Sequence, residues 1–246
     1  MPVFRVNNPH QSWYGESIGI LILNAAYPCI PGNVGNATTF DFPVRYKQVR
    51  EASIHRLLNE RDRCLLAPFV SAARELEAEG VKAVTGACGF MALFQREIAA
   101  SVSIPVFLSS LLQIPFIHHT LGPGKRVGII TADATVLTDE HFDAVGVSPD
   151  IPLAIAGMQE KEEFRQAVLE EKGTLDSTRM AQEVVDVALQ LVADHPDIGA
   201  IVLECSDLPP FAHAVQAATG RPVFDFITMI RYVHAALDQR AYGGSM

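Results

Sequence analysis

Two cysteines carry the most legible chemistry in this chain. Cys88 closes the run Ala83-Val84-Thr85-Gly86-Ala87, and Cys205 closes Gly199-Ala200-Ile201-Val202-Leu203-Glu204. Each run reads as an apolar strand, and each cysteine precedes a helical pattern: Phe94, Ile98 and Val102 after the first, Phe211, Val215 and Ala218 after the second. A cysteine at a strand-to-helix turn sits beside the positive end of the helix dipole, which favours the thiolate and predicts a lowered thiol pKa. One such cysteine is weak evidence, because the residue is among the most often buried. The second copy adds weight. When Cys88 is laid on Cys205, Phe94 falls on Phe211 and Pro105-Val106-Phe107 on Pro222-Val223-Phe224. With a slightly different offset Ile18-Gly19-Ile20 falls on Val127-Gly128-Ile129. Two acid/base groups from related halves can reach one carbon from opposite faces. Inverting a stereocentre needs that arrangement, one group removing a proton and the other returning it. A thiol, with an ordinary pKa of about 8.5, suits both roles. The turns also offer free backbone N–H groups to a carboxylate, and Gly89 and Ser206, which follow the cysteines, allow close backbone approach.

The elements that must position these thiols alternate between strand and helix. Ile18 to Leu23 is an apolar run suited to a buried parallel strand, followed by a Pro/Gly/Asn loop over 24–36. Phe40 to Val44 is read as a second strand, with a helix from about Tyr46 that carries Val49, Ile54, Leu57 and Leu58. Leu66, Phe69, Val70, Ala73 and Leu76 define a helix ended by Gly80. After Gly122-Pro123-Gly124-Lys125, a hinge that precedes a strand and so differs from a phosphate loop, the alternation restarts. Glu160 to Lys172 is read as a charged helix, and Asp176 as the N-cap of a long helix lined by Met180, Val184, Val187 and Leu191. This pattern predicts an α/β protein of two pseudosymmetric parallel-sheet halves with a cleft between them.

Composition narrows the function. Of the 246 residues 49% are hydrophobic, and the net charge is −9, with no basic stripe, so nucleic acid is not an expected partner. No apolar run approaches the ~20 residues of a membrane span, and residues 1–17 lack a signal-peptide plan, which predicts a cytoplasmic protein without membrane contact. Four cysteines without a CxxC motif make neither a disulfide framework nor a zinc site, and His118-His119 are adjacent. Cys29 reads as incidental and Cys64 as structural. No dinucleotide fingerprint, Walker loop or metal spacing occurs, so no metal and no cofactor, pyridoxal phosphate included, is expected.

Thr85-Gly86-Ala87-Cys88-Gly89-Phe90 and Glu204-Cys205-Ser206-Asp207, on a duplicated α/β chain, resemble the aspartate/glutamate/hydantoin racemase superfamily from Ile18 onward. The resemblance implies cofactor-independent catalysis with Cys88 and Cys205 as acid and base. It also implies halves that exchange their last segments: residues 1–116 with a C-terminal helix over 234–246 packing back on them, and residues 117–233. The chain departs from glutamate racemases at Cys88-Gly89-Phe90, at Cys205-Ser206-Asp207 and at Asn24-Ala25, so glutamate is not carried over as substrate, and Phe90 implies a less polar pocket. Candidate substrate-binding residues are Asn24, Asn33, Thr85, Gly89, Phe90, Ser206 and Asp207. The expected activity is that of an isomerase, a racemase or epimerase acting on a small amino acid or related carboxylate. Alternatives within the superfamily are arylmalonate decarboxylase and maleate isomerase chemistry; outside catalysis the alternative is a two-lobed ligand-binding protein. Substrate identity and homo-oligomerisation stay open.

Overall fold

The computed structural model of the chain describes residues 3–6 and 8–244, so the end of the expected segment 234–246 lies outside the described residues. Eight strands, β1 (Ile18–Leu23), β2 (Val44–Val49), β3 (Ala83–Gly86), β4 (Val106–Phe107), β5 (Arg126–Thr131), β6 (Leu153–Gly157), β7 (Ile198–Leu203) and β8 (Val223–Phe224), build two parallel sheets. Their orders are β2-β1-β3-β4 and β6-β5-β7-β8, the same topology twice. In each, the chain winds outward in both directions from the first strand, so a switch point lies between the first and third strands. Both cysteines follow third strands and therefore stand at these switch points.

Burial explains the strands. β1 (IGILIL) is covered on both faces, as parallel strands between helices are. Gly19 within it lets the helix Leu66–Ala78 lie close, since a Cβ there would sit 2.9 Å from the Leu76 side chain. The helix Ser177–Asp194 starts on Asp176, whose carboxylate accepts from the Thr178 and Arg179 N–H groups, and buries Met180, Val184, Val187 and Leu191. The last helix, Phe226–Leu237, is capped by an Asp225–Thr228 capping box. Its Phe226 and Ile230 pack with Ile18, Ile20, Ala83 and Phe107, so the C-terminal helix covers the first sheet. Among the described residues no helix is long and apolar enough to cross a membrane.

Three local expectations change. Tyr46 to Val49 is strand, not helix: β2 pairs with β1 along its whole length, Ile18 against Val44 to Leu23 against Val49. The alternation of Val44 and Tyr46 with Arg45 and Lys47 is a two-residue period, and those two cations pair with Glu79 and Glu75. The helix expected around Ile54 to Leu58 is a π-helical turn, His55–Asn59. The charged helix expected over 160–172 becomes a single helical turn, Glu162–Phe164, followed by a second π-helical turn, Arg165–Leu169. The two π-turns occupy equivalent places in the halves, and each leads to a non-glycine residue at positive φ, Arg61 (49°) and Glu171 (52°). A side chain in that region costs about 1–2 kcal/mol through its Cβ. Arg61→Gly is therefore expected to raise the thermal midpoint by about 2–4 °C, whereas Arg61→Ala, which keeps the clash, should not. A melting comparison in which Arg61→Gly gains nothing would count against stored strain at this turn.

Candidate active site

Cys88 stands at the head of a short 3-10 helix, Gly89–Phe94, in extended backbone (φ −165°, ψ 126°). Cys205 follows β7 by two residues and is 6% exposed. Both line one small cavity between the sheets, of about 20 Å³, which has room for about one water. Tyr27, Glu204, Ser206 and Asp207 supply its other polar residues; Phe90, Ile54 just before the first π-turn, Leu58 within it, and Val168 and Leu169 from the second supply its apolar walls. A wider open groove of about 910 Å³, between Phe42, Arg231 and Tyr242, contains neither cysteine.

Hydrogen bonds across the sheets fix this geometry. The Ser206 hydroxyl donates to the Ala87 carbonyl (2.8 Å), and the Ser110 hydroxyl to the Leu203 carbonyl (2.9 Å). Asn33 reaches from the loop after β1 and donates to Asp207 Oδ1 (2.5 Å), while the Cys205 thiol donates to Asp207 Oδ2 (3.4 Å). Tyr27 lines the same cavity as Asp207. Glu171, at the end of the second π-turn, accepts from the Ala26 N–H and ties that turn to the same loop. Phe90 is held edge-on against His141, ring centroids 5.0 Å apart. Burial lowers the His141 pKa to about 4, so the imidazole beside Phe90 is neutral.

The candidate residues separate into those the fold gathers and those it does not. Cys88, Gly89, Phe90, Cys205, Ser206 and Asp207 line the cavity. Asn33 is buried behind it and holds Asp207. Thr85 is fully buried with its hydroxyl on the Phe107 carbonyl, inside the sheet, and exposed Asn24 bonds the Arg50 carbonyl; neither lines the cavity. Two residues outside the expected set belong to it. Glu204, the acid that ends the apolar β7 run, is a signal visible in the sequence; Tyr27, in an irregular loop, gives none.

Glu204 is fully buried. Its Oε2 accepts from the Thr131 hydroxyl (2.8 Å), and its Oε1 has no partner among the described residues. It lies against Gly89, where a Cβ would overlap both the carboxylate and the Glu204 backbone oxygen. The glycine after Cys88 thus makes room for a carboxylate of the chain itself. Desolvation raises the Glu204 pKa to about 7 and that of Asp207 to about 6, in the latter case against the hydrogen bonds from Asn33 and Cys205. The expected lowering of the thiol pKa is reversed. Burial first, and then the neighbouring Glu204 and Asp207, push both thiols well above the ordinary range. The Phe90 and Met91 N–H groups oppose the rise at Cys88 without overcoming it. A six-residue 3-10 helix brings few aligned dipoles to offset a buried charge. As a result the resting thiols are protonated.

No protein-family model matches the chain. Its fold is shared with unliganded arylmalonate decarboxylase (TM-score 0.60, 15% identity, covering 92% of this chain and 94% of that one). It is also shared with a glutamate racemase from Bacillus anthracis (TM-score 0.57, 15% identity, 90% and 81%). The chain therefore shares the fold of these two enzymes. In sequence the chain is 34% identical to a dimethylsulfoniopropionate lyase from Durusdinium sp. clade D, over 92% of this chain and 77% of the relative. It is 31% identical to dimethylsulfoniopropionate lyase 3 of Emiliania huxleyi over 90% of this chain, spanning 60% of that relative. The chain belongs to the dimethylsulfoniopropionate lyase family. This corrects the expected racemase and isomerase activity: the curated relatives are lyases, and at 15% identity the likeness to racemases extends to the fold alone.

Two outcomes follow from the buried carboxylate. Gly89→Ala is expected to destabilise the fold by about 1–3 kcal/mol through overpacking, and Glu204→Ala in the same chain to recover the part due to the carboxylate, the overlap with the Glu204 backbone oxygen remaining. A double variant no more stable than Gly89→Ala would dissociate the glycine from Glu204. The second outcome concerns pH. The folded pKa of Glu204, about 7, lies above its ordinary 4.5. Burying this acid therefore weighs least below the lower value and most once the pH has risen past the higher one. Glu204→Gln should raise the melting temperature at pH 8 and change it little at pH 4.5. Equal gains at both pH values would argue against ionisation as the cause.

Proposed function

We propose that this chain is a lyase that eliminates dimethyl sulfide from dimethylsulfoniopropionate or a close β-sulfonium carboxylate. The 34% identity over 92% of the chain to a lyase of that name carries the reading. The site supports it chemically. The C2 hydrogen of such a substrate is acidified by the carboxylate-bearing carbon, and the sulfonium on C3 is a neutral molecule once it departs. A base removes the C2 proton, the C–H electron pair becomes the C2–C3 double bond, and the C3–S pair leaves with the sulfide. The products are acrylate, dimethyl sulfide and a protonated base, which returns its proton to solvent. No acid need assist a leaving group of this kind, so one base suffices.

Cys88 is that base in this reading. The neighbouring Phe90 and Met91 N–H groups favour its thiolate. The Cys205 proton is engaged by Asp207, which suits this second thiol to orienting the substrate. A closed cavity of about 20 Å³ admits a substrate only when the π-turn walls, Leu58 on one side and Val168 and Leu169 on the other, move apart. Once closed, they exclude water from the developing carbanion.

The purified chain is expected to convert dimethylsulfoniopropionate to equal amounts of acrylate and dimethyl sulfide, measured by liquid and gas chromatography. Cys88→Ala should lower kcat by about 10²–10⁴-fold, the usual contribution of a positioned base. Cys205→Ala should keep more activity than Cys88→Ala. Absence of both products from the wild-type reaction would remove the lyase reading, and full activity in Cys88→Ala would move the base elsewhere.

A further inference from the structure

The cavity holds two acids without a counter-charge. Glu204 is fully buried and Asp207 is 8% exposed, and no Lys, Arg or His is among the described residues that line the cavity. Every side chain hydrogen-bonded to these acids is neutral: Thr131 to Glu204, and Asn33 and Cys205 to Asp207. Glu204 Oε1 is buried with no partner among the described residues, although a buried ionised group is normally paired. The rings of Tyr27 and Phe90 line the same space, and aromatic faces attract onium cations.

We propose that Glu204 and Asp207, with Tyr27 and Phe90, form a cage for a permanently charged onium group, and that this cage determines the specificity of the enzyme for a cationic leaving group. The inference rests on the lyase reading for its substrate but on the unpaired carboxylates for its argument. A sulfonium or quaternary ammonium carries its charge at every pH and has no N–H to donate, so a cage of carboxylates and aromatic faces recognises it by charge and shape alone. The cage also couples recognition to chemistry. A cation placed among the acids adds positive charge beside both thiols and favours their ionised form, which the empty site disfavours. The base is thus formed when a cationic substrate is present, and neutral carboxylates leave the thiols protonated.

The test compares two unreactive ligands of one shape, trimethylammoniopropionate and its neutral tert-butyl isostere, by titration calorimetry with the full chain at pH 8. The wild-type protein should bind the ammonium compound at least about tenfold more tightly, a difference of 1.4 kcal/mol. Glu204→Gln and Asp207→Asn should each shrink that ratio, with folding of both variants checked by melting. Equal binding of the two isosteres by the wild-type protein, no binding of the ammonium compound at millimolar concentration, or a ratio unchanged in both variants overturns the cage. Dimethyl sulfide release is scored separately. A chain that keeps the tenfold ratio but releases no sulfide retains the cage and loses the lyase reading; one that releases sulfide but binds the isosteres equally loses the cage alone.

Discussion

A carboxylate removed from water at the end of an apolar strand is the constraint around which this site is arranged. Glu204 follows five residues that are almost entirely buried, Gly199 being the one partial exception in β7, and it has the Thr131 hydroxyl and the Ala132 N–H as donors. A lone acid in that position opposes folding unless neighbours accommodate it. The accommodation is visible. Residue 89 has no side chain, so the carboxylate lies against its backbone, and the sheets are drawn together by Ser206 on Ala87 and Ser110 on Leu203. Hydrophobic packing places the strand ends; the acid decides which residue follows Cys88.

The same constraint sets the state of the thiols. A cysteine beside a long helix N-terminus and a cation is ionised at neutral pH. Here each cysteine has a short 3-10 segment after it and a carboxylate near it, so both elements of that device are weakened or inverted. A two-base racemase needs one thiolate and one thiol ready in alternation. This resting site has two thiols and excess negative charge. That electrostatic arrangement fits a reaction whose substrate carries the missing positive charge.

Much of this was legible beforehand. The duplicated cysteines, the Ile18 and Val127 strands, the Asp176 cap and the α/β alternation were readable because burial on both faces and helical periodicity leave strong patterns. β2 was placed too early, at 40–44, because Val44 and Tyr46 give only two alternating apolar positions, too few to outweigh the apolar residues that follow. The π-turns were read as helix because they bury Leu57, Leu58 and Val168 at nearly helical spacing. Thr85 and Gly89 show the limit on the site itself. Each sits in the motif beside Cys88, yet one serves the sheet and the other a buried acid, a distinction set by partners more than a hundred residues away or on another strand. Tyr27 lies in a loop without periodicity, and only the fold brings it to Asp207.

Shared architecture explains why the activity was misread. Chains with about 15% identity keep the paired sheets and the switch-point turns, because these depend on apolar patterning that many sequences satisfy. The backbone therefore offers a place for a thiol on each side of one carbon without stating what happens there. What distinguishes one chemistry from another on this frame is the charge placed around the thiols and the walls that close over them. In this chain the walls are the two π-turns, repeated at equivalent points, and the second is joined to the β1 loop through Glu171 and Ala26. The loop that Glu171 holds also carries Tyr27, which lines the cavity, and Asn33, which donates to Asp207. The second wall and the partner that fixes the acid are therefore joined through one loop.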